Sequence, residues 1–154
     1  MKPKNLFLAL IGLIIIVFGA WYVFLRTKEK VEVNNPLPSE ITYVNATKDM
    51  ITVNSPTPDA VTGKVFSVLG KARGTWYFEA SFPIEVLDKD GKTLATGVAH
   101  AEGDWMTTEF VPFKADIKIP QSYIGKATLV LKKDNPSGIL EKEASISFPF
   151  TIEY

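Results

Sequence analysis

The run Trp76-Tyr77-Phe78-Glu79-Ala80-Ser81-Phe82-Pro83-Ile84-Glu85-Val86 decides the fold class. Its even positions are nearly all apolar, while Glu79, Ser81 and Glu85 take odd ones. An apolar period of two marks a strand with one buried face. Ala144, Ile146, Phe148, Phe150 and Ile152 repeat the scheme against Glu143, Ser145, Ser147, Thr151 and Glu153. Both strands need a facing sheet to cover them.

Outward from these two runs, shorter alternating segments lie at residues 50–53, 65–72, 93–101, 109–113, 116–119 and 127–132, with turn residues between them. No stretch after residue 25 has a convincing 3.6-residue period. Seven or eight regularly spaced strands predict an all-β, immunoglobulin-like antiparallel β-sandwich over residues 49–154. Its expected core comprises Phe66, Val68, Trp76, Phe78, Phe82, Ile84, Val98, Phe110, Leu129, Leu131, Ile146, Phe148 and Phe150. Burying one such side chain is worth about 1.5–3 kcal/mol, so the fold can do without disulfides, and the chain has no cysteine. Gly70 and Ala72 share the parity of Val68, which predicts close packing against a bulky neighbour. Pro83 and Pro149 take outward positions, expected at sheet edges or bulges.

Ahead of the domain, residues 6–25 are uncharged and apolar between Lys4 and Arg26. Roughly twenty such residues span a hydrocarbon core of about 30 Å as one helix. The bulky Phe18 two residues before Ala20 fits a small-x-small cleavage site poorly, and the run outlasts a signal core. It reads as an uncleaved signal-anchor, contacting membrane lipid, with Trp21 and Tyr22 at the headgroup level. Residues 1–5 form a short tail. Residues 26–48, with Pro36 and Pro38, read as an extended tether. Lys2 and Lys4 are matched by Arg26, Lys28 and Lys30, so the positive-inside rule gives no vote. A β-rich domain behind an anchor favours a single-pass protein of a bacterial cytoplasmic membrane with its C-terminal domain outside.

From Val31 onward there are 12 basic and 16 acidic residues. Without a basic stripe the domain is not suited to nucleic acid, whose phosphates call for clustered Lys and Arg. The lack of cysteine removes thiolate metal sites and thiol nucleophiles. His100, the sole histidine, lies among small residues with no serine or cysteine motif pointing to it, which argues against a triad. Asp88-Lys89-Asp90-Gly91 begins like a calcium loop, but Ala99 stands where the closing acid belongs, and a hairpin turn accounts for the same residues. Asn45-Ala46-Thr47 matches a glycosylation acceptor, a pattern common by chance. The reading is therefore of a non-enzyme that uses no cofactor and no metal.

Several segments carry a resemblance. These are Ile51-Thr52-Val53-Asn54-Ser55-Pro56-Thr57-Pro58, Gly70-Lys71-Ala72-Arg73-Gly74-Thr75-Trp76-Tyr77-Phe78-Glu79-Ala80-Ser81-Phe82-Pro83, Asp90-Gly91, Asp104-Trp105-Met106-Thr107 and Phe110-Val111-Pro112-Phe113. Together, over residues 50–154, they resemble the Gmad2 family, the immunoglobulin-like domain associated with the GerMN domain of spore germination proteins. The resemblance implies a bacterial, extracytoplasmic accessory module with no catalytic residues to carry over. The sequence departs from the spore proteins in having no GerMN domain beside the match, so a germination role is not implied.

Arg73, Tyr77, Glu79 and Trp105 remain as candidate binding residues, together with Met106, since Arg, Trp and Tyr dominate interface hot spots. Trp76 has inward parity and reads as core. Arg73 and Glu79 are placed to pair with each other, or Glu79 to hold backbone amides near Trp105. Two functions follow from this inventory: a module contacting or spacing an envelope protein partner, and a module stacking cell-wall glycan (peptidoglycan) on Trp105 and Tyr77. The hydrolase reading has no constellation behind it.

Overall fold

The computed structural model describes residues 39–154. The apolar run at 6–25 and most of the tether lie outside them. Among the described residues, no helix is long and apolar enough to cross a membrane.

Among the described residues nine strands occur in order: β1 Thr42–Val44, β2 Ile51–Ser55, β3 Val61–Thr62, β4 Val65–Arg73, β5 Ser81–Asp88, β6 Thr93–Ala101, β7 Phe110–Lys118, β8 Gly125–Lys132 and β9 Ser145–Ile152. They form one hydrogen-bonded sheet in the order β1-β9-β8-β5-β6-β7-β4-β2, with β3 parallel to β9 and every other pairing antiparallel. The expected sandwich is thus a single sheet folded on itself. The link between its halves is slender, since β6 and β7 pair only at His100 with Lys114 and Ala101 with Phe113. Beyond those two pairs the strands diverge and the halves face each other. Phe82 of β5 meets Phe113 of β7 at 4.9 Å between ring centroids, and Phe66 of β4 meets Phe150 of β9 at 5.4 Å. Both pairs are edge-on, the geometry the ring quadrupole favours.

Alternation is followed most faithfully in β7, where Val111, Phe113, Ala115 and Ile117 are buried and the residues between them are not. The segments at 109–113 and 116–119 are therefore one strand. Thr42–Val44, inside the stretch assigned to the tether, pairs with Ser145–Ser147 as an edge strand. Pairing thus begins before residue 49.

The run at 76–86 departs most from its expected form. Gly74–Trp76 is a 3-10 turn, and the strand begins only at Ser81. An uninterrupted strand sends neighbouring side chains to opposite faces, yet Trp76 and Tyr77 are both buried. The turn makes that possible. Glu79 and Ala80 then take φ of 49° and 59°, and Phe78 and Ser81 exchange two backbone hydrogen bonds of 3.0 Å. This is the left-handed pair of a primed hairpin turn, which usually calls for Asn-Gly. It resets the parity, so Phe82, Ile84 and Val86 are buried while Phe78, expected in the core, is 43% exposed. Val98 is also half exposed rather than core, and Phe66 and Phe110 are partly covered. Val98 pairs with Pro83, so it shares that proline's outward face.

Gly70 fits the close-packing expectation. A Cβ there would lie 2.2 Å from the Thr52 carbonyl oxygen and 2.6 Å from Cζ of Phe113. Its absence lets the Phe113 ring cross toward Phe82. The prolines sit where no ladder needs their missing N–H: Pro83 is one residue beyond the β5–β8 pairing, and Pro149 lies between the short partners β1 and β3.

Candidate binding surface

Antiparallel register sends four connections to one end of the domain: residues 45–50, 74–80, 102–109 and 133–144. The connections at 56–60, 89–92 and 119–124 lie at the other, with the terminal Tyr154. The described chain joins the domain at that second end. The Ser39 amide and hydroxyl donate to the Asp59 carboxylate at 2.6 and 3.0 Å, which hold its carboxyl below the usual range. The loop end at 45–50, 74–80, 102–109 and 133–144 therefore lies opposite Ser39.

These four loops are stitched together. The Asn45 side-chain amide donates to the Glu143 carbonyl, the Asp134 amide to the Trp76 carbonyl, and the Ala101 amide to the Ala80 carbonyl. Gly74 donates to the Glu109 carbonyl, and its missing Cβ would lie 1.9 Å from the Thr107 carbonyl oxygen and 2.3 Å from that of Trp105. Only glycine lets the 102–109 loop lie on this backbone. The Asn45 amide is thus engaged in a structural bond at the glycosylation-like triplet.

Arg73 is the clamp of this mesh. Its Nε donates to the Asp49 carbonyl at 3.1 Å and its Nη1 to the Thr108 carbonyl at 3.0 Å, while the guanidinium lies 4.3 Å from the Phe110 ring centre. Its carboxylate neighbour is Glu109, at 3.6 Å, and not Glu79. Glu79 is exposed on the primed turn and fixes no amide near Trp105. Tyr77 is 4% exposed, and its hydroxyl donates to the Val111 carbonyl at 2.7 Å. Burial pushes that phenol up to about 12. Tyr77 therefore offers no open face for stacking. Trp105 is half-buried and packs against the core edge, beside a shallow depression of about 400 Å³ that it lines with Gly74, Tyr77 and Met106. Of the four candidates, Trp105 and Glu79 remain available to a ligand, Arg73 is committed to the scaffold and Tyr77 to the core.

The end also exposes apolar side chains. Met106 is 78% exposed, Leu140 73%, and Phe78 and Ile139 43% each. Phe78, Ile139 and Leu140 were not among the sequence candidates, although Ile139-Leu140 stands out as an apolar pair within the polar run 133–143. Gly138, at φ 62°, turns the chain just before it.

Elsewhere the chemistry is sparse. His100 is exposed on β6 opposite Lys114. Asp88 caps its own turn: Oδ1 accepts from the Lys92 and Asp90 amides at 2.8 Å, lowering the carboxyl, and Gly91 has φ 81°. Among the described residues no group of three or more His, Asp or Glu is arranged to hold a metal ion.

A folded, nine-stranded sheet with its elaborated loops at one end is an immunoglobulin-like β module. The family model of Gmad2, the immunoglobulin-like domain of bacterial spore germination, matches residues 50–139, and the chain belongs to that family. Among solved structures, CopC from Methylosinus trichosporium OB3b is similar at 16% identity and a TM-score of 0.43, over 68% of this chain and 92% of that one. No curated protein matches the sequence.

Proposed function

We propose that the chain is a non-catalytic accessory module of the bacterial envelope, anchored through residues 6–25 with its domain outside the membrane, and that it docks an envelope protein through its loop end. The observation that carries this is the set of exposed apolar side chains on hydrogen-bonded loops, at the end opposite Ser39. Exposed apolar groups on a pre-organised mesh lose little conformational entropy on binding, which favours protein contact. Trp105 beside the open depression supports cell-wall glycan as the second reading.

Co-sedimentation of the full chain with isolated peptidoglycan separates the two. The protein reading predicts that the chain stays in the supernatant. Saturable pelleting that Trp105→Ala abolishes without unfolding the domain would establish the glycan reading instead.

A further inference from the structure

The loop end differs from the opposite end in charge rather than in apolarity, since exposed apolar side chains occur at both, Ile124 and Tyr154 among them at the other. Its four connections carry eight carboxylates against three lysines. Glu79, Glu102, Asp104 and Glu141 are all exposed. The opposite connections are balanced: Asp59 and Asp90 stand against Lys89 and Lys92. The loop-end carboxylates share this end with the exposed Met106, Phe78, Ile139 and Leu140. Charge complementarity sets the sign of a partner and disfavours like-charged surfaces.

A second observation concerns shape. The turn that lifts Phe78 out of the core uses Glu79 and Ala80 in left-handed backbone conformations, which cost non-glycine residues free energy. That conformation is held from outside, because Ala80 accepts from the Ala101 amide at 2.8 Å. The turn backbone that carries the exposed Phe78 and the exposed Glu79 in succession is consequently fixed. Leu140 and Glu141 repeat that succession on the loop tied to Trp76 through Asp134.

We propose that this end takes a protein surface in which an apolar recess is rimmed by lysine and arginine. The inference rests on the reading that the loop end docks a protein, and it adds the partner's chemistry. Phe78, Met106 and Leu140 enter the recess, and Glu79, Glu102 and Glu141 meet the cationic rim. Anionic surfaces, including acidic wall polymers and anionic lipid, are repelled from the same end.

The full chain in non-ionic detergent, carrying ¹³C-methyl methionine, provides the test. The Met106 methyl reports from the loop end, and a parallel thermal melt by circular dichroism reports on the fold. Two amphipathic helical peptides with identical apolar positions serve as probes, one with lysine and one with glutamate at the polar positions. The lysine peptide is expected to shift Met106 saturably and the glutamate peptide to bind at least ten-fold more weakly. Leu140→Ser with Phe78→Ser should weaken the lysine peptide at least ten-fold with the melt unchanged, and reversing Glu79, Glu102 and Glu141 to lysine should invert the preference. Equal response to both peptides, or a lysine-peptide response that survives Leu140→Ser with Phe78→Ser, overturns the proposal while leaving a protein-docking end intact. Failure of both peptides to move Met106 overturns it as well, whereas protein adducts formed at this end in cells speak to the docking reading alone.

Discussion

Phe82→Ala tests whether one aromatic cluster holds the folded sheet together. Phe82 is fully buried, and its ring lies 4.9 Å from Phe113, 5.3 Å from Tyr77 and 6.4 Å from Trp76. Those partners come from β7 and from the turn before β5, so the ring joins the two halves where the β6–β7 ladder has only two residue pairs. Truncation removes the ring's transfer free energy and leaves a cavity that rigid neighbours on three sides cannot close. The expected loss is about 3–5 kcal/mol, near the upper end of that range. At about 2.1 cal/mol/K per residue for a domain of this size, the unfolding entropy is about 0.24 kcal/mol/K, so a loss of 4 kcal/mol lowers Tm by about 16 °C. Urea titration followed by tryptophan fluorescence, with a parallel thermal melt by circular dichroism, measures both quantities. A loss below about 1 kcal/mol, with Tm moved by less than about 4 °C, would refute the argument that this ring bridges the halves.

Gly74→Ala should push the 102–109 loop off the scaffold, costing about 1–3 kcal/mol and speeding hydrogen exchange at the Thr107 and Glu109 amides; unchanged exchange would contradict the close contact at Gly74. Arg73→Lys keeps the charge but loses the forked donation to Asp49 and Thr108, so it should destabilise the domain by about 1–3 kcal/mol, and a urea midpoint equal to wild type would show the clamp to be dispensable. Asp88, Asp116 and Asp59 have carboxyls held low, chiefly by the Lys92 amide, the Ser67 hydroxyl and the Ser39 amide respectively. Their contribution is present above the unfolded value of 3.8 and is lost as pH falls below it through the depressed folded values, so Tm should fall over that acid window and Asp88→Asn should flatten the fall. Tyr77 behaves oppositely: its folded value of about 12 exceeds 10.0, so its contribution is full below pH 10 and is lost as pH rises toward 12, and Tyr77→Phe should remove that alkaline loss.

Strand content was legible because alternation is written directly into β5, β7 and β9, each with one face toward the core. Gly70 was readable for the same reason: a small residue on a buried parity implies a large neighbour, and Phe113 is that neighbour. The primed turn at 78–81 was not legible. Glu79 and Ala80 give no glycine or asparagine signal, and the apolar count runs through them without a break. This one turn accounts for the misplacing of Phe78 and Tyr77, since inserting it exchanges which of them is buried. The candidate surface was half readable. Trp105-Met106 was singled out by residue type, but Arg73 was set against Glu79 when its neighbour in space is Glu109, a relation that depends on β4 and β7 lying side by side. The gathering of the four loops at one end follows from register, which a linear sequence does not display.

On the proposed reading the loop end, and neither the sheet faces nor the opposite end, meets the partner. A photo-reactive amino acid placed singly at Met106, Leu140 or Gln121 in the full chain, irradiated in intact cells, tests it most directly. Gln121 is exposed at the end where Ser39 joins the domain. Discrete protein adducts from positions 106 and 140, with none from 121, are the expected result. Adducts from 121 with none from the other two would contradict the claim.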